Sequence, residues 1–409
     1  MDDNRFNCLY FIWFLPSWDW RNDGACLLYL GILRITSSFC SLHSENIGRH
    51  CRTMHFCGGS WVKSRAVFEI HCELFDVPFE SCMRNPKELL VASKAFTSET
   101  KWISWWHLLT GIACYTLSLV VACSDFFPML VRIVGSCVSG LVIVRLFIIY
   151  HDYNHGTILK RSWIAASILK VYGMLVLSPS SVWSHSHDHH HKHNSRSSGN
   201  NTGSYPLMTR EEYVKADRWK RFGYAVSRHP ITVFGGYLTV FLYGMTIRSF
   251  FLHPRKHFDA GIAMVLHAAL LTFCYMQGWD ILILGMLLPL VVSCGLGAYL
   301  FYAQHNFPTC QLHRREDWHY VLAALKSSSY IRMSKLMHWF TGNVGYHHVH
   351  HLNAKIPFYR LPEAMAAMEE LQTPGTTSLH PRDILACFRL KLWDADRCTF
   401  ISFREAVKA

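Results

Sequence analysis

The chain has 409 residues, of which 51% are hydrophobic, 14% aromatic and 17% charged, with a formal net charge of +12 at pH 7. So few charges beside that much apolar sequence fit poorly with an ordinary soluble domain. A positive balance suits nucleic acid or a membrane surface, but there is no basic repeat, zinc-finger or RNA-binding signature, and long uncharged runs favour the membrane. The 15 cysteines include no C-x-x-C pair, and several sit inside apolar runs. A disulfide framework is therefore not indicated, and a reducing compartment is expected around the polar segments.

Residues 1–82 carry two apolar stretches, Cys8–Pro16 and Cys26–Leu33, both too short to cross a bilayer. Asp2 and Asp3 argue against a basic signal-peptide start. The region is read as a poorly ordered or non-native extension, with translation beginning at Met83 as the other reading. Residues 83–400 then form the working domain and 401–409 a tail.

Ile103–Ala122 is the first apolar run long enough for ~30 Å of hydrocarbon. After a turn at 124–128, Met129–Tyr150 is the second, with Arg132 and Arg145 near its two ends and placed to snorkel. Ile164–Leu177 is interrupted by Lys170 and flanked by Lys160 and Arg161, which suits an interfacial helix. Ile231–Leu252, Gly261–Gln277 and Ile281–Ala303 follow, the last two parted only by Gly278-Trp279-Asp280, a membrane-hairpin spacing. Leu361–Leu371 and Pro381–Trp393 read as helices of a soluble cap.

Three histidine segments lie at the ends of these runs. His151-Asp-Tyr-Asn-His155 is H-x-x-x-H, while His187-x-x-His190-His191 and His347-x-x-His350-His351 are H-x-x-H-H. On a helix, i, i+3 and i+4 share a face, so each segment aims its imidazoles one way. Imidazole suits iron, zinc, copper and nickel. Eight nitrogens exceed the four of a zinc site, which indicates two ions, or one with spectators. The three segments meet only if an even number of crossings separates the first from the third. One of the three later runs must then stay out of the bilayer, and Ile231–Leu252 is chosen because the other two form the hairpin. Lys and Arg crowd 156–230 and 306–346 and are missing from the turns, which puts the histidines on the cytoplasmic side. His185, His189, His193 and His348 are taken as spectators or as groups supporting the ligands, and His107 and His267 as neutral, hydrogen-bonded residues inside spans. Asp152, Asn154, Asp188 and Asn194 are candidates to orient the rings.

The three boxes, and above all Gly342 to Leu361 with His347-His348-Val349-His350-His351 and Ile356-Pro-Phe-Tyr-Arg-Leu361, resemble integral-membrane fatty acyl desaturases of the delta-12 and omega-3 kind. The resemblance spans roughly residues 84–400 and implies an all-α integral membrane protein. Its four transmembrane helices form two hairpins under a cytoplasmic cap with a non-haem diiron site. It implies ligands at His151, His155, His187, His190, His191, His347, His350 and His351, with His305 after the last span as a ninth. It further implies O2 as co-substrate, a lipid acyl substrate, a bacterial inner membrane or endoplasmic-reticulum-type membrane, and no nucleic acid. No His-Pro-Gly-Gly motif of a fused cytochrome b5 is present, so electrons are expected from a separate ferredoxin or cytochrome b5-type donor. A diiron hydroxylase of alkyl, sterol or carotenoid substrates is the main alternative, and a non-catalytic metal-handling membrane protein a weaker one.

Overall fold

The computed structural model describes residues 84–196, 204–314 and 316–408. The readings made of residues 1–82 lie outside the described residues. The first helix of the described residues, α1 (Pro86–Ser93), starts on a capping box in which Asn85 accepts from the Glu88 N–H and the Glu88 carboxylate reaches back.

Among the described residues, four helices are long and apolar enough to cross a membrane. They are α2 (Lys101–Cys123), α3 (Met129–Asn154), α9 (Phe258–Gln277) and the continuous Ile281–His305, whose first turns are π-helical and whose remainder is α10 (Leu288–His305). α3 outruns the expected end at Tyr150. At 1.5 Å per residue its 26 residues reach about 39 Å, so its last turns stand clear of ~30 Å of hydrocarbon. α3 and Ile281–His305 are the more buried pair, while α2 and α9 flank them. Close approach of that inner pair needs Gly140, where a Cβ would lie 2.8 Å from the Pro289 carbonyl oxygen. The second hairpin turns at Gly278, whose φ of +120° is open to glycine but strained for other residues.

The two arginines expected to snorkel do not. Arg132 is 5% exposed. Its Nε donates to the Ala122 carbonyl at 3.1 Å, and its guanidinium pairs with Asp125 at 2.9 Å and Asp280 at 3.1 Å. It therefore ties the turn of the first hairpin to that of the second. Arg145 is buried as well. It donates to the Trp339 carbonyl, lies 2.8 Å from His107 Nδ1 and stacks over the Trp339 ring at 4.2 Å. In each case a partner inside the protein replaces the headgroup that snorkelling would have sought.

Between the hairpins, α4 (Trp163–Leu175) and α5 (Ser180–His193) meet at 89°. α6 (Arg210–Lys215), α7 (Arg218–Ser227) and α8 (Pro230–Phe234) follow. Tyr237–Leu252, π-helical as far as Arg248, is a shorter apolar helix than the four spans. The cap adds α11 (Tyr320–Ser327), α12 (Lys335–Phe340), α13 (His347–Leu352), α14 (Leu361–Ala367) and α15 (Pro381–Arg389). To this helical fold it adds two short strand pairs: parallel β1 (Tyr330–Arg332) with β2 (Thr376–Ser378), and antiparallel β3 (Leu392–Asp394) with β4 (Thr399–Ile401). The helix expected through Trp393 thus ends at Arg389, and Leu392 and Trp393 enter a strand as buried residues. The main core joins Ile149, Tyr150, Leu169 and Trp183 to Val349, Leu352 and Ile356, so it packs around all three histidine segments.

Candidate metal centre

His151 lies in the last turn of α3 and His155 is its C-terminal cap. α5 carries the second box, α13 the third, and His305 is the final residue of α10. Among the described residues, nine imidazole nitrogens gather into two groups. The first holds His151, His155, His187, His191 and His350, and the second His190, His305, His347 and His351. Within each group the ligand atoms all lie within 4.8 Å of one another, and the residues are buried except His155 and His305, which are half-buried.

His151 and His155 aim at one group as expected, but the expectation that each H-x-x-H-H box aims at one place is corrected. At 100° per residue, i and i+4 sit 40° apart, while i+3 lies 60° to the other side. His187 and His191 accordingly serve the first group and His190 the second. In the third box the assignment reverses: His347 and His351 serve the second group and His350 the first. Each H-x-x-H-H helix thus contributes to both groups.

The nitrogens fit a cation. His187 Nε2 lies 3.0 Å from Nε2 of both His151 and His191, and His350 Nε2 is 3.1 Å from His191 Nε2. In the second group, His305 Nε2 is 3.0 Å from His190 Nε2 and 2.9 Å from His347 Nε2. Nitrogens about 2.1 Å from a shared centre at right angles are separated by roughly 3.0 Å. His155 Nε2 and His351 Nε2 are buried with no hydrogen-bond partner, an expense a metal removes.

Ring orientation comes from the far nitrogens. His151 Nδ1 meets Asp152 Oδ1 at 2.9 Å, His190 Nδ1 meets Ser204 Oγ at 2.7 Å, and His305 Nδ1 meets the Ser327 carbonyl at 3.0 Å. A proton held on Nδ1 leaves the Nε2 lone pair facing inward. Burial, and then the neighbouring imidazoles, push His187, His190, His191, His347, His350 and His351 well below the ordinary histidine range. They are therefore neutral, which is the ligand form.

Of the four orienting residues expected from sequence, only Asp152 contacts a grouped imidazole. Asn154 donates to the Tyr150 carbonyl and accepts from Ser184, Asn194 donates to Ser328, and Asp188 is exposed. Ser204 and the Ser327 carbonyl take up the role, and no local pattern marks either one. The spectators stand apart: His189 and His193 stack on each other at 4.1 Å, His348 bonds the Leu371 carbonyl at 3.2 Å, and His185 is exposed. His267 bonds the Tyr237 hydroxyl at 2.8 Å, a packing contact like that of His107 with Arg145.

Sequence reading also missed the anchor of α5. Asp259, in the first turn of α9, accepts from the Ser181 N–H at 2.9 Å and the Ser181 hydroxyl at 2.5 Å. His257 Nδ1 contacts the same hydroxyl at 2.8 Å. On the other side, the Tyr150 hydroxyl donates to the Ser178 carbonyl at 2.7 Å. The helix bearing three grouped histidines is thus held between two spans.

Two polyimidazole groups beyond the ends of membrane-length helices fit a metal site in a helical membrane protein. The family model described as fatty acid desaturase matches residues 128–382, which include all nine histidines. The chain is 33% identical over 266 residues to a fatty acid desaturase of Bacillus subtilis (strain 168), covering 64% of this chain and 74% of that one. It is 26% identical over 271 residues to the sn-1 acyl-lipid omega-3 desaturase (ferredoxin) of Nostoc sp. (strain 36), covering 64% and 71%. The chain belongs to the fatty acid desaturase family and is an oxidoreductase of the membrane.

Proposed function

We propose that this enzyme desaturates acyl chains already carried on membrane lipids, at a delta-12 or omega-type position, with two irons held by the nine grouped histidines. The observation that carries the reading is the division of those nitrogens into two adjoining groups, five and four strong. An iron pair with O2 supplies the oxidising power that an unactivated C–H bond requires and that side-chain acids and bases lack. The reaction balances as one CH2–CH2 unit, O2, two electrons and two protons giving one C=C and two waters. Asp152 holds His151, Ser204 holds His190 and the Ser327 carbonyl holds His305, so the rings keep their lone pairs inward. Electrons come from a separate ferredoxin or cytochrome b5-type protein, and the ferredoxin in the name of the Nostoc relative supports the former. The lysines and arginines of 156–230 and 306–346 support a cytoplasmic position for the boxes.

The test is expression in a host rich in oleoyl lipids, with fatty acids analysed for new dienes and hydroxy acids. Dienes on intact lipids are expected. Hydroxy acids without dienes would turn the assignment to a hydroxylase, and an unchanged lipid profile from protein with two irons and a working donor would remove the acyl substrate.

A further inference from the structure

α7 (Arg218–Ser227) has two faces. Its Tyr224 packs inward with Leu392 and Ile401 of the β3–β4 hairpin and with Ala406. Its outward face carries Trp219, Phe222 and Val226, at i, i+3 and i+7, exposed by 69%, 63% and 43%. Arg218 and Lys220 are exposed beside this stripe, while Asp217 is occupied in capping the Trp219 and Lys220 N–H groups. Large side chains bared in a row are not scattered surface residues; such a stripe marks a partner.

The depth of the helix says which partner. Arg228, just past its end, donates to the Tyr302 hydroxyl at 3.2 Å and to Asn306, which flank His305 at the end of the last span. α8 then runs down that span. Phe234 stacks on Tyr299, and a Cβ at Gly295 would lie 2.7 Å from the Phe234 carbonyl oxygen. Tyr299 and Gly295 lie six and ten residues before His305, about 9 and 15 Å deeper along the helix axis. Ile231, 76% exposed, therefore lies at the depth of the acyl region, and α7, which ends at Ser227 just before Arg228, lies near the level of His305 at the end of the span.

We propose that α7 lies in the lipid headgroup layer on the histidine side, its Trp219–Phe222–Val226 stripe at the acyl boundary and Arg218 and Lys220 on anionic headgroups. Amphipathic helices with an aromatic apolar face and basic flanks take this position. The inference rests on the membrane reading of the chain and is independent of the reaction catalysed.

The experiment places the photo-crosslinker p-benzoylphenylalanine at Phe222 of the full chain, reconstituted in vesicles of phosphatidylcholine with or without phosphatidylglycerol. The control position is Asp396, exposed in the turn of the hairpin that α7 packs against. Lipid adducts at Phe222 at least five-fold above Asp396 are expected, rising with phosphatidylglycerol. The rise should disappear in the Arg218→Gln/Lys220→Gln double variant. Equal yields at the two positions, or adducts with a second copy of the chain or with added ferredoxin in place of lipid, would overturn the proposal. Because the readout is an adduct, failure of the desaturase assignment leaves it intact.

Discussion

Asp152 joins two histidine segments that lie some two hundred residues apart. One carboxylate oxygen bonds His151 Nδ1 at 2.9 Å, and the other accepts the Phe358 N–H at 2.7 Å. The stretch between Asn353 and Phe358 is fastened to the end of α3 twice more, by Thr157 to the Ala354 carbonyl at 2.9 Å and by Lys355 to the His155 carbonyl. Asp152→Ala frees the His151 ring and strands a buried N–H, so iron affinity should fall by roughly 10–100-fold. Asp152→Asn keeps one acceptor and should lie between. Iron titration monitored by absorbance checks both, and His193→Ala, whose ring lies outside the two groups, should titrate like the parent. An unchanged affinity in Asp152→Ala would remove the orienting role. The boxes themselves were legible because covalent spacing fixes i, i+3 and i+4 on a helix. Which nitrogen joins which group was not, since that depends on how α5 and α13 face each other. Ser204 and Ser327 were out of reach for the same reason: they orient rings across 14 and 22 residues of intervening chain.

The four spans could be read because about twenty apolar residues in a row have few other fates in water. The π-helical turns could not, since no composition separates Tyr237–Arg248 or Ile281–Leu287 from an α-helix. Nor could the clamp on α5, where Asp259 reaches Ser181 across 78 residues. That clamp secures the N–H and hydroxyl at the start of the helix that carries His187, His190 and His191, where the helix dipole also favours an anion. Hydrogen bonds to a charged group contribute about 1.5–3 kcal/mol. Asp259→Ala should lower thermal stability in detergent by an amount in that range and speed iron loss to a chelator. Asp259→Asn, which still accepts from the Ser181 N–H, should recover part of both. If Asp259→Ala melts like the parent and holds iron as long, the clamp does not position α5.

Arg132 acts on the whole bundle. By meeting Asp125 and Asp280 together it fixes both hairpin turns at one end, while His151, His155 and His305 emerge at the other ends of the same helices. The two carboxylates are largely solvated, so each pair adds little, at most about 1 kcal/mol. Arg132→Met should therefore cost only modest stability, read as a small drop in melting temperature, and leave iron content unchanged. The larger consequence concerns topology. Two turns held together must lie on the same side of the membrane, so a probe at one reports for both. Positive charge crowds the segments around the histidines and is missing from 123–128 and 278–280, so these turns are expected to face away from the cytoplasm. Trp279, exposed at the second turn, is the natural site for a probe. In a chain whose native cysteines are replaced by serine, Trp279→Cys in intact cells should react with an impermeant maleimide added outside. A cysteine in place of exposed Lys160, on the histidine side, should react only after lysis. Labelling of Lys160→Cys from outside, with Trp279→Cys protected until lysis, would invert the orientation and move the electron donor to the opposite face.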